Sequence, residues 1–146
     1  MQTPAEKYII ETLKSYLCEH YKKDSELPII LNIGAGRNVV IENQLVNSGC
    51  TFVCDRADID NFQISNDYMG NCHLCSVESM HPIKSREYNA AFSNYLLEHV
   101  RDLNKVASEI YRILKNRGIY VTSVPNPTAP EFILAKTDTA MVSQNS

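Results

Sequence analysis

The chain has 146 residues, of which 44% are hydrophobic and 21% charged, with a net charge of −3. This length fits one domain with its own core, and the composition excludes a disordered polyelectrolyte, a basic surface for nucleic acid and an apolar membrane span. The first residues lack the pattern of a signal peptide, so we expect a cytoplasmic protein whose five cysteines stay reduced.

The N-terminal segment predicts a helix. Thr3 is a capping residue, Pro4 suits the first helical position, and Glu6 completes a capping box. Apolar residues then recur at helical spacing, at Ile9, Ile10, Leu13, Leu17 and Tyr21. One face of this helix is therefore expected to be buried.

A short apolar run that ends on glycines follows. Ile29–Ile33 is predicted to be a buried strand, Gly34-Ala35-Gly36 breaks it at once, and a helix is predicted for 39–47. A strand that turns on glycines into a helix leaves a crevice. There a polar cofactor can approach the backbone and the helix N-terminus without meeting a Cβ.

Short apolar runs predict four further strands. They are 51–54, with Asp55 at its carboxyl end, 72–77, 90–93 and 119–124. Asp102 is predicted to cap an amphipathic helix before the last of these strands. Residues 131–136 are predicted to form a short helix.

Strands that alternate with helices predict a doubly wound, mostly parallel α/β sheet. We predict five strands in the order 3-2-1-4-5 within a single domain. Residues 1–27 are its helix and connector, 28–126 its core, and 127–146 a short C-terminal segment. Ligands of such sheets bind at the carboxyl ends of the strands.

The glycine turn predicts a nucleoside ligand. A dinucleotide fingerprint needs a third glycine where this chain has Val39, which disfavours a nicotinamide-dependent oxidoreductase. Asn38 stands where a Gly-x-Gly-x-Gly turn has its third glycine, and asparagine tolerates positive φ. Asp55 follows Gly36 by 19 residues, close to the spacing of ~20 that is typical of a ribose-binding carboxylate.

The chain resembles the class I S-adenosylmethionine-dependent methyltransferases in segments 30–36, 75–80 and 88–100, which have the family's order and spacing. The resemblance runs from about Pro28 to Asn126 and includes the Leu-Glu-His-Val signature of the small-molecule type, at residues 97–100. It implies a Rossmann-like fold, S-adenosylmethionine as cofactor and a small-molecule acceptor. The cofactor contacts that it implies are Asn32, Gly34, Ala35, Gly36, Asp55, Ser76, Val77 and Asn94. His99 is the predicted catalytic base, although a helix-start pair of Glu98 and His99 is the simpler alternative.

Further expectations follow from departures from the family pattern and from the spacing of residues. The chain stops soon after its fifth strand, so we expect it to lack the family's last two strands and to form a homodimer through the open fifth-strand edge. Asn32 and Ser76 replace acids that are usual in the family, which leaves open a degenerate or truncated module that acts in binding or assembly without catalysis. Cys72 and Cys75 would lie on opposite faces of a strand, so we expect no zinc or other metal there. We expect no nucleic-acid or membrane partner.

Overall fold

A computed structural model describes residues 3–23, 26–34, 36–60, 66–123, 131–137 and 140–144 of the protein. The helices are α1 (Pro4–Lys23), α2 (Val40–Asn47), a short 3-10 helix (Leu97–His99) and α3 (Leu103–Ile113). The strands are β1 (Ile29–Ile33), β2 (Val53–Asp58), β3 (Met69–Leu74), β4 (Tyr88–Asn94), β5 (Leu114–Ser123), β6 (Glu131–Lys136) and β7 (Met141–Gln144). None of the helices in these ranges has the length and apolar character needed to cross a membrane.

The strands form one mixed sheet in the order β3-β2-β1-β4-β5-β6-β7. The first five strands pair in parallel, and their predicted order is confirmed. The sheet then continues through two antiparallel strands, β6 beside β5 and β7 beside β6. The prediction of five strands is therefore wrong, because the described sheet has seven.

The C-terminal segment contradicts the predicted short helix. Residues 131–136 form β6, which pairs along β5 from Ser123↔Glu131 to Ile119↔Ala135. Ile133 packs against the core on one face of the sheet and Leu134 against the core on the other. Backbone pairing with β5 and the burial of apolar side chains on both faces stabilise the strand more than a local helical preference would stabilise a helix.

This pairing also removes the edge that we expected to recruit a second chain. The N–H and C=O groups of β5 between Ile119 and Ser123 face β6 on one side and β4 on the other. The predicted homodimer through the fifth-strand edge is wrong, since that edge is not open.

Helices and loops cover the sheet on both faces, as a doubly wound fold requires. One core lies under α1 and α2 and the other under α3 and the loop that follows β3. The first core includes Ile9, Leu13, Ile41, Leu45, Cys54 and Phe92. The second includes Leu31, Ala57, Val77, Met80, Tyr88 and Ile110. The sheet is thereby fixed between two apolar layers.

Local sequence signals place the starts of α1 and α3 as predicted. Thr3 and Glu6 exchange side-chain to backbone hydrogen bonds of 3.1 Å in both directions, which is a complete capping box. The Asp102 carboxylate accepts the N–H groups of Asn104 at 3.0 Å and Lys105 at 3.2 Å. Residues 124–130, which carry the end of the motif in the family resemblance, lie outside the described residues.

Candidate functional site

The glycine turn after β1 has the backbone conformation that its sequence predicts. Gly34 and Gly36 have φ values of +73° and +58°, which side chains disfavour. A Cβ at Gly34 would also lie 2.8 Å from Cδ1 of Leu96. The N–H of Gly34 donates to the carbonyl of Ala57 at 2.8 Å, and that of Gly36 to Oδ2 of Asp58 at 2.8 Å. Both N–H groups are therefore engaged within the protein, and the glycines contribute shape and close approach rather than these donors.

Asn38 does not take over the role of a third glycine. The non-glycine residues with positive φ in the described ranges are Arg86, Tyr95 and Arg117, so Asn38 is not among them. Its side-chain oxygen instead accepts the N–H of Val40, the first residue of α2, at 2.9 Å. Asn38 therefore does not use the positive φ that asparagine tolerates, and its short polar side chain supports the helix start instead.

Asp55 does not lie at the end of the second strand. The strand β2 continues to Asp58, and Asp55 is 5% exposed in its middle. Its Oδ1 accepts the N–H of Asn71 at 2.8 Å, and its Oδ2 accepts the hydroxyl of Tyr88 at 2.7 Å. The predicted strand end is wrong because residues 56–58 pair with β1 and β3. Asp55 is thus a buried acceptor on the α3 side of the sheet.

Asp58 occupies the position that we predicted for Asp55. It is the last residue of β2, and its carboxylate accepts the N–H of Gly36 at 2.8 Å and that of Asp60 at 3.1 Å. Sequence reasoning missed it because the apolar run stops at Cys54, whereas the strand continues through Arg56. The signal available in the sequence was a second acidic residue, 22 positions after Gly36.

A cleft of about 730 Å³ opens where the ends of β1 and β2, the residues after β3 and the short 3-10 helix meet. Its walls bring together Gly34, Gly36, Ser76, Val77 and His99 of the predicted site residues. They also include Ala57, Asp58, Ile59, Asp60, Cys75, Glu78, Leu96, Val100 and Arg101, which sequence reasoning did not select.

Asn32 and Asn94 line a separate cavity of about 130 Å³, which also touches Gly34, Asn38, Ile41 and Glu42. Gly34 therefore belongs to the walls of both spaces. The amide of Asn32 donates to Oε1 of Glu42 at 3.1 Å, and Oδ1 of Asn94 accepts the hydroxyl of Ser123. Asp55 lines neither space, and Ala35 lies outside the described residues.

A buried ion pair lies beside the smaller cavity. Glu42 on α2 and Arg56 on β2 are 1% and 4% exposed, and Oε2 of Glu42 pairs with Nη1 of Arg56. Burial raises the pKa of Glu42 above its ordinary value, while the Arg56 charge opposes that shift. Glu42 therefore places a carboxylate directly beside Asn32, the position at which the family resemblance leads us to expect an acid.

His99 lies on the rim of the cleft. Its side chain is 76% exposed, and its Nε2 is 3.6 Å from Oε1 of Glu98. Glu78, from the loop after β3, accepts the N–H of Asp102 at 2.9 Å and so ties that loop to the segment that carries His99. The cleft therefore has an accessible imidazole on its rim and apolar and acidic groups in its walls.

Within the ranges that the structure describes, no group of three or more His, Cys, Asp or Glu side chains is arranged to hold a metal ion. Cys72 is exposed on β3, and Cys75, which follows the strand, is half-buried. The expectation that this pair binds no structural metal stays a prediction.

Comparisons with known proteins bear on the family and the fold of the chain. The profile of a family described as "Methyltransferase domain" matches residues 31–122. A search of curated proteins by sequence found no significant match.

Several solved structures share the fold. The DszA carbon methyltransferase matches with a TM-score of 0.71 at 14% identity, over 84% of this chain and 36% of its own. Phosphoethanolamine N-methyltransferase 2 of Haemonchus contortus, in complex with S-adenosyl-L-methionine, matches with a TM-score of 0.55 at 15% identity, over 77% of this chain and 28% of its own. The [4+2]-cyclase SpnF matches with a TM-score of 0.58 at 16% identity, over 77% and 44%.

The chain thus spans less than half of each of these three structures. At such identities the structural likeness shows the fold alone, while the family profile covers well over half of this chain. The chain belongs to the class I S-adenosylmethionine-dependent methyltransferase family.

Proposed function

We propose that this chain binds S-adenosylmethionine and transfers its methyl group to a small-molecule acceptor. The observation that carries the proposal is the cleft of about 730 Å³ in which the glycine turn, Asp58 and the loop after β3 converge. Its position at the carboxyl ends of parallel strands is where doubly wound folds bind nucleosides. Its volume lies within the range of small-molecule sites.

Asp58 is the proposed ribose ligand in place of Asp55. A carboxylate has about four acceptor positions, of which the N–H groups of Gly36 and Asp60 take two. The remaining positions suit the two ribose hydroxyls. Asp55, in contrast, is buried and bonded to Asn71 and Tyr88.

The adenine is proposed to lie against Ile59, Ser76 and Val77. Ile59 is 73% exposed, so a flat ring would remove a large apolar surface from water. The Ser76 hydroxyl accepts the N–H of Glu78 at 3.2 Å and keeps a proton of its own to donate. A hydroxyl and an apolar wall are suited to a purine ring with nitrogen acceptors.

The amino-acid end of the cofactor is proposed to occupy the smaller cavity. Asn32 and Asn94 offer amide groups there, and Glu42 lies beside Asn32. Gly34 belongs to both spaces and would face the junction between nucleoside and amino acid. The predicted contact of Ala35 with the cofactor stays a prediction.

When bound, S-adenosylmethionine supplies a methyl group that its sulfonium already activates. The protein then mainly has to orient the acceptor and exclude water. Leu96 and Val100 provide apolar surface on the cleft wall for this purpose. His99 is proposed to take a proton from acceptors that must lose one, because its imidazole can accept a proton and lies exposed on the wall of the cleft.

Calorimetric titration with S-adenosylhomocysteine tests the site. Asp58→Asn removes the charge of the ribose ligand, so affinity should fall at least about tenfold, the loss of one charge-assisted hydrogen bond of roughly 1.5–3 kcal/mol. Asp67→Asn, on an exposed turn, is the matched control and should bind as the wild type does. No binding by the wild type would contradict the proposed cofactor, and a loss in Asp55→Asn without one in Asp58→Asn would return the role to Asp55.

Methyl transfer needs its own measurement. Production of S-adenosylhomocysteine should be followed with panels of small amines, alcohols and carboxylic acids, for the wild type and for His99→Gln. We expect the variant to lose rate without losing cofactor affinity. Tight cofactor binding without transfer to any acceptor would instead favour the alternative of a binding module.

A further inference from the structure

Arg56 binds the backbone of the glycine turn through its guanidinium group. It belongs to β2 and is 4% exposed, and its Nη2 donates to the carbonyl oxygens of Gly36 and Asn38, each at 2.8 Å. These two carbonyls belong to the loop between β1 and α2, whose described residues, 34 and 36–39, lie outside the strands of the sheet. The guanidinium therefore fixes the path of the loop across two residues.

Two neighbouring elements hold Arg56 in turn. Glu42 from the first turn of α2 pairs with its Nη1, and Asn32 from β1 donates to the other oxygen of Glu42 at 3.1 Å. Asn32 and Arg56 are also register partners across β1 and β2. Since an unpaired buried charge is costly, the pair confines the guanidinium to one position.

The same strand also binds the other backbone group of Gly36. Asp58, two residues after Arg56, accepts the N–H of Gly36 at 2.8 Å. Residues two apart on a strand point to the same face, so β2 presents a cation and then an anion to this loop. The carbonyl of Gly36 is bound by the cation and its N–H by the anion.

We propose that Arg56 is a positioning residue that sets the conformation of the turn at 36–38 and, through it, the affinity of the cofactor cleft. This inference rests on the proposed function but concerns a residue outside the walls of the main cleft. A role in global stability alone is the competing explanation. A buried ion pair is weak evidence for a role in stability, because its replacement by apolar residues often leaves the free energy of unfolding unchanged. The hydrogen bonds of Arg56, in contrast, end on two carbonyls of the loop that borders the cleft.

Arg56→Ala, Arg56→Lys and a matched control test the proposal. The control is Arg112→Ala, because Arg112 also pairs with a carboxylate, Glu109, and also donates to two loop carbonyls, those of Ile83 at 2.8 Å and Met80 at 2.9 Å. It does so on α3, away from the glycine turn. Each variant is examined by hydrogen exchange and by titration with S-adenosylhomocysteine.

In Arg56→Ala we expect amide exchange across residues 36–40 to rise at least about tenfold, with a similar loss of affinity. Exchange in α3 and β5 should stay unchanged. Millimolar methylguanidinium should restore both quantities in part, since it replaces the missing group. Arg56→Lys keeps the charge but not the fork of donors, so we expect an intermediate effect. Arg112→Ala should loosen residues 80–85 and leave the turn and the affinity as they are.

Unchanged exchange at the turn in Arg56→Ala would overturn the inference, and so would a uniform increase over the whole chain without rescue by methylguanidinium. If the wild type binds no S-adenosylhomocysteine, the proposed function fails. The exchange comparison at the turn still decides whether Arg56 holds the loop, so the two failures are distinguishable.

Discussion

Tyr88 places a buried hydroxyl next to the carboxylate of Asp55, which lies inside the sheet. Its ring is fully buried, and its hydroxyl donates to Oδ2 of Asp55 at 2.7 Å. We expect Tyr88→Phe to lower the free energy of unfolding by about 1–3 kcal/mol, because a buried acceptor loses its donor. Urea unfolding of wild type and variant measures this change.

Tyr95→Phe is the matched control, because Tyr95 is 41% exposed. The control should unfold within a few tenths of a kcal/mol of the wild type. Equal stability of Tyr88→Phe and the wild type would contradict the role of the Tyr88–Asp55 bond, and would indicate that His73, whose Nε2 lies 3.5 Å from Asp55, satisfies the carboxylate.

The same residue predicts a pH dependence. Burial, followed by the hydrogen bond to Asp55, raises the pKa of Tyr88 well above that of an ordinary tyrosine. Above pH ~10 the unfolded chain releases this proton while the folded chain keeps it, so the contribution of Tyr88 to stability is present below that pH and declines above it. The stability difference between wild type and Tyr88→Phe should therefore shrink as the pH rises past ~10. A difference that grows with pH would contradict this assignment.

At the scale of elements, Lys136 joins β6 to the end of α3. Its Nζ donates to the carbonyls of Tyr111 at 2.8 Å and Leu114 at 2.6 Å, and lies 4.4 Å from the centre of the Tyr111 ring. A cation at the carboxyl end of a helix meets unpaired carbonyls and the negative end of the dipole. Lys136 therefore satisfies the helix end that passes directly into β5.

We expect Lys136→Met to lower the free energy of unfolding by about 1–2 kcal/mol, because the apolar stem remains while the donor to the helix end is lost. Chemical denaturation measures the loss, and hydrogen exchange should show faster exchange in the last turn of α3. Lys105→Met, on the exposed face near the start of α3, is the control and should change neither quantity. A Lys136→Met variant as stable as the wild type would mean that water satisfies these carbonyls.

At the scale of the whole molecule, the antiparallel pair β6 and β7 closes the sheet beyond β5. Without β6, the backbone groups of Ile119–Ser123 would have no partner on one side. An unpaired, flat and apolar strand recruits other chains. We therefore expect a chain that ends at residue 130 to self-associate in light scattering at several concentrations.

A chain that ends at residue 140 provides the control, because it loses β7 but keeps β6 beside β5. We expect it to scatter as the full chain does. A shortened chain ending at residue 130 that stays monomeric at every concentration would contradict the protective role of β6.

The sequence alone determined those features whose causes lie within a few residues. The capping box of Thr3 and Glu6, the cap at Asp102 and the strand-glycine-helix order around Gly34 and Gly36 each depend on neighbours along the chain. The alternation of strands and helices then fixed the parallel order of the first five strands. These local causes were enough to indicate the family and the edge of the sheet that holds the site.

Only the tertiary structure decided which carboxylate faces that site. The extension of β2 from Cys54 to Asp58 depends on pairing with β1 and β3, and this pairing buries Asp55 under Tyr88 and brings Asp58 to Gly36. The strand β6 likewise depends on β5, and the Glu42–Arg56 pair joins residues 14 apart in sequence. These contacts are stabilised by residues that are distant in sequence. An analysis of neighbouring residues alone therefore misplaces the strands and the side chains that depend on them.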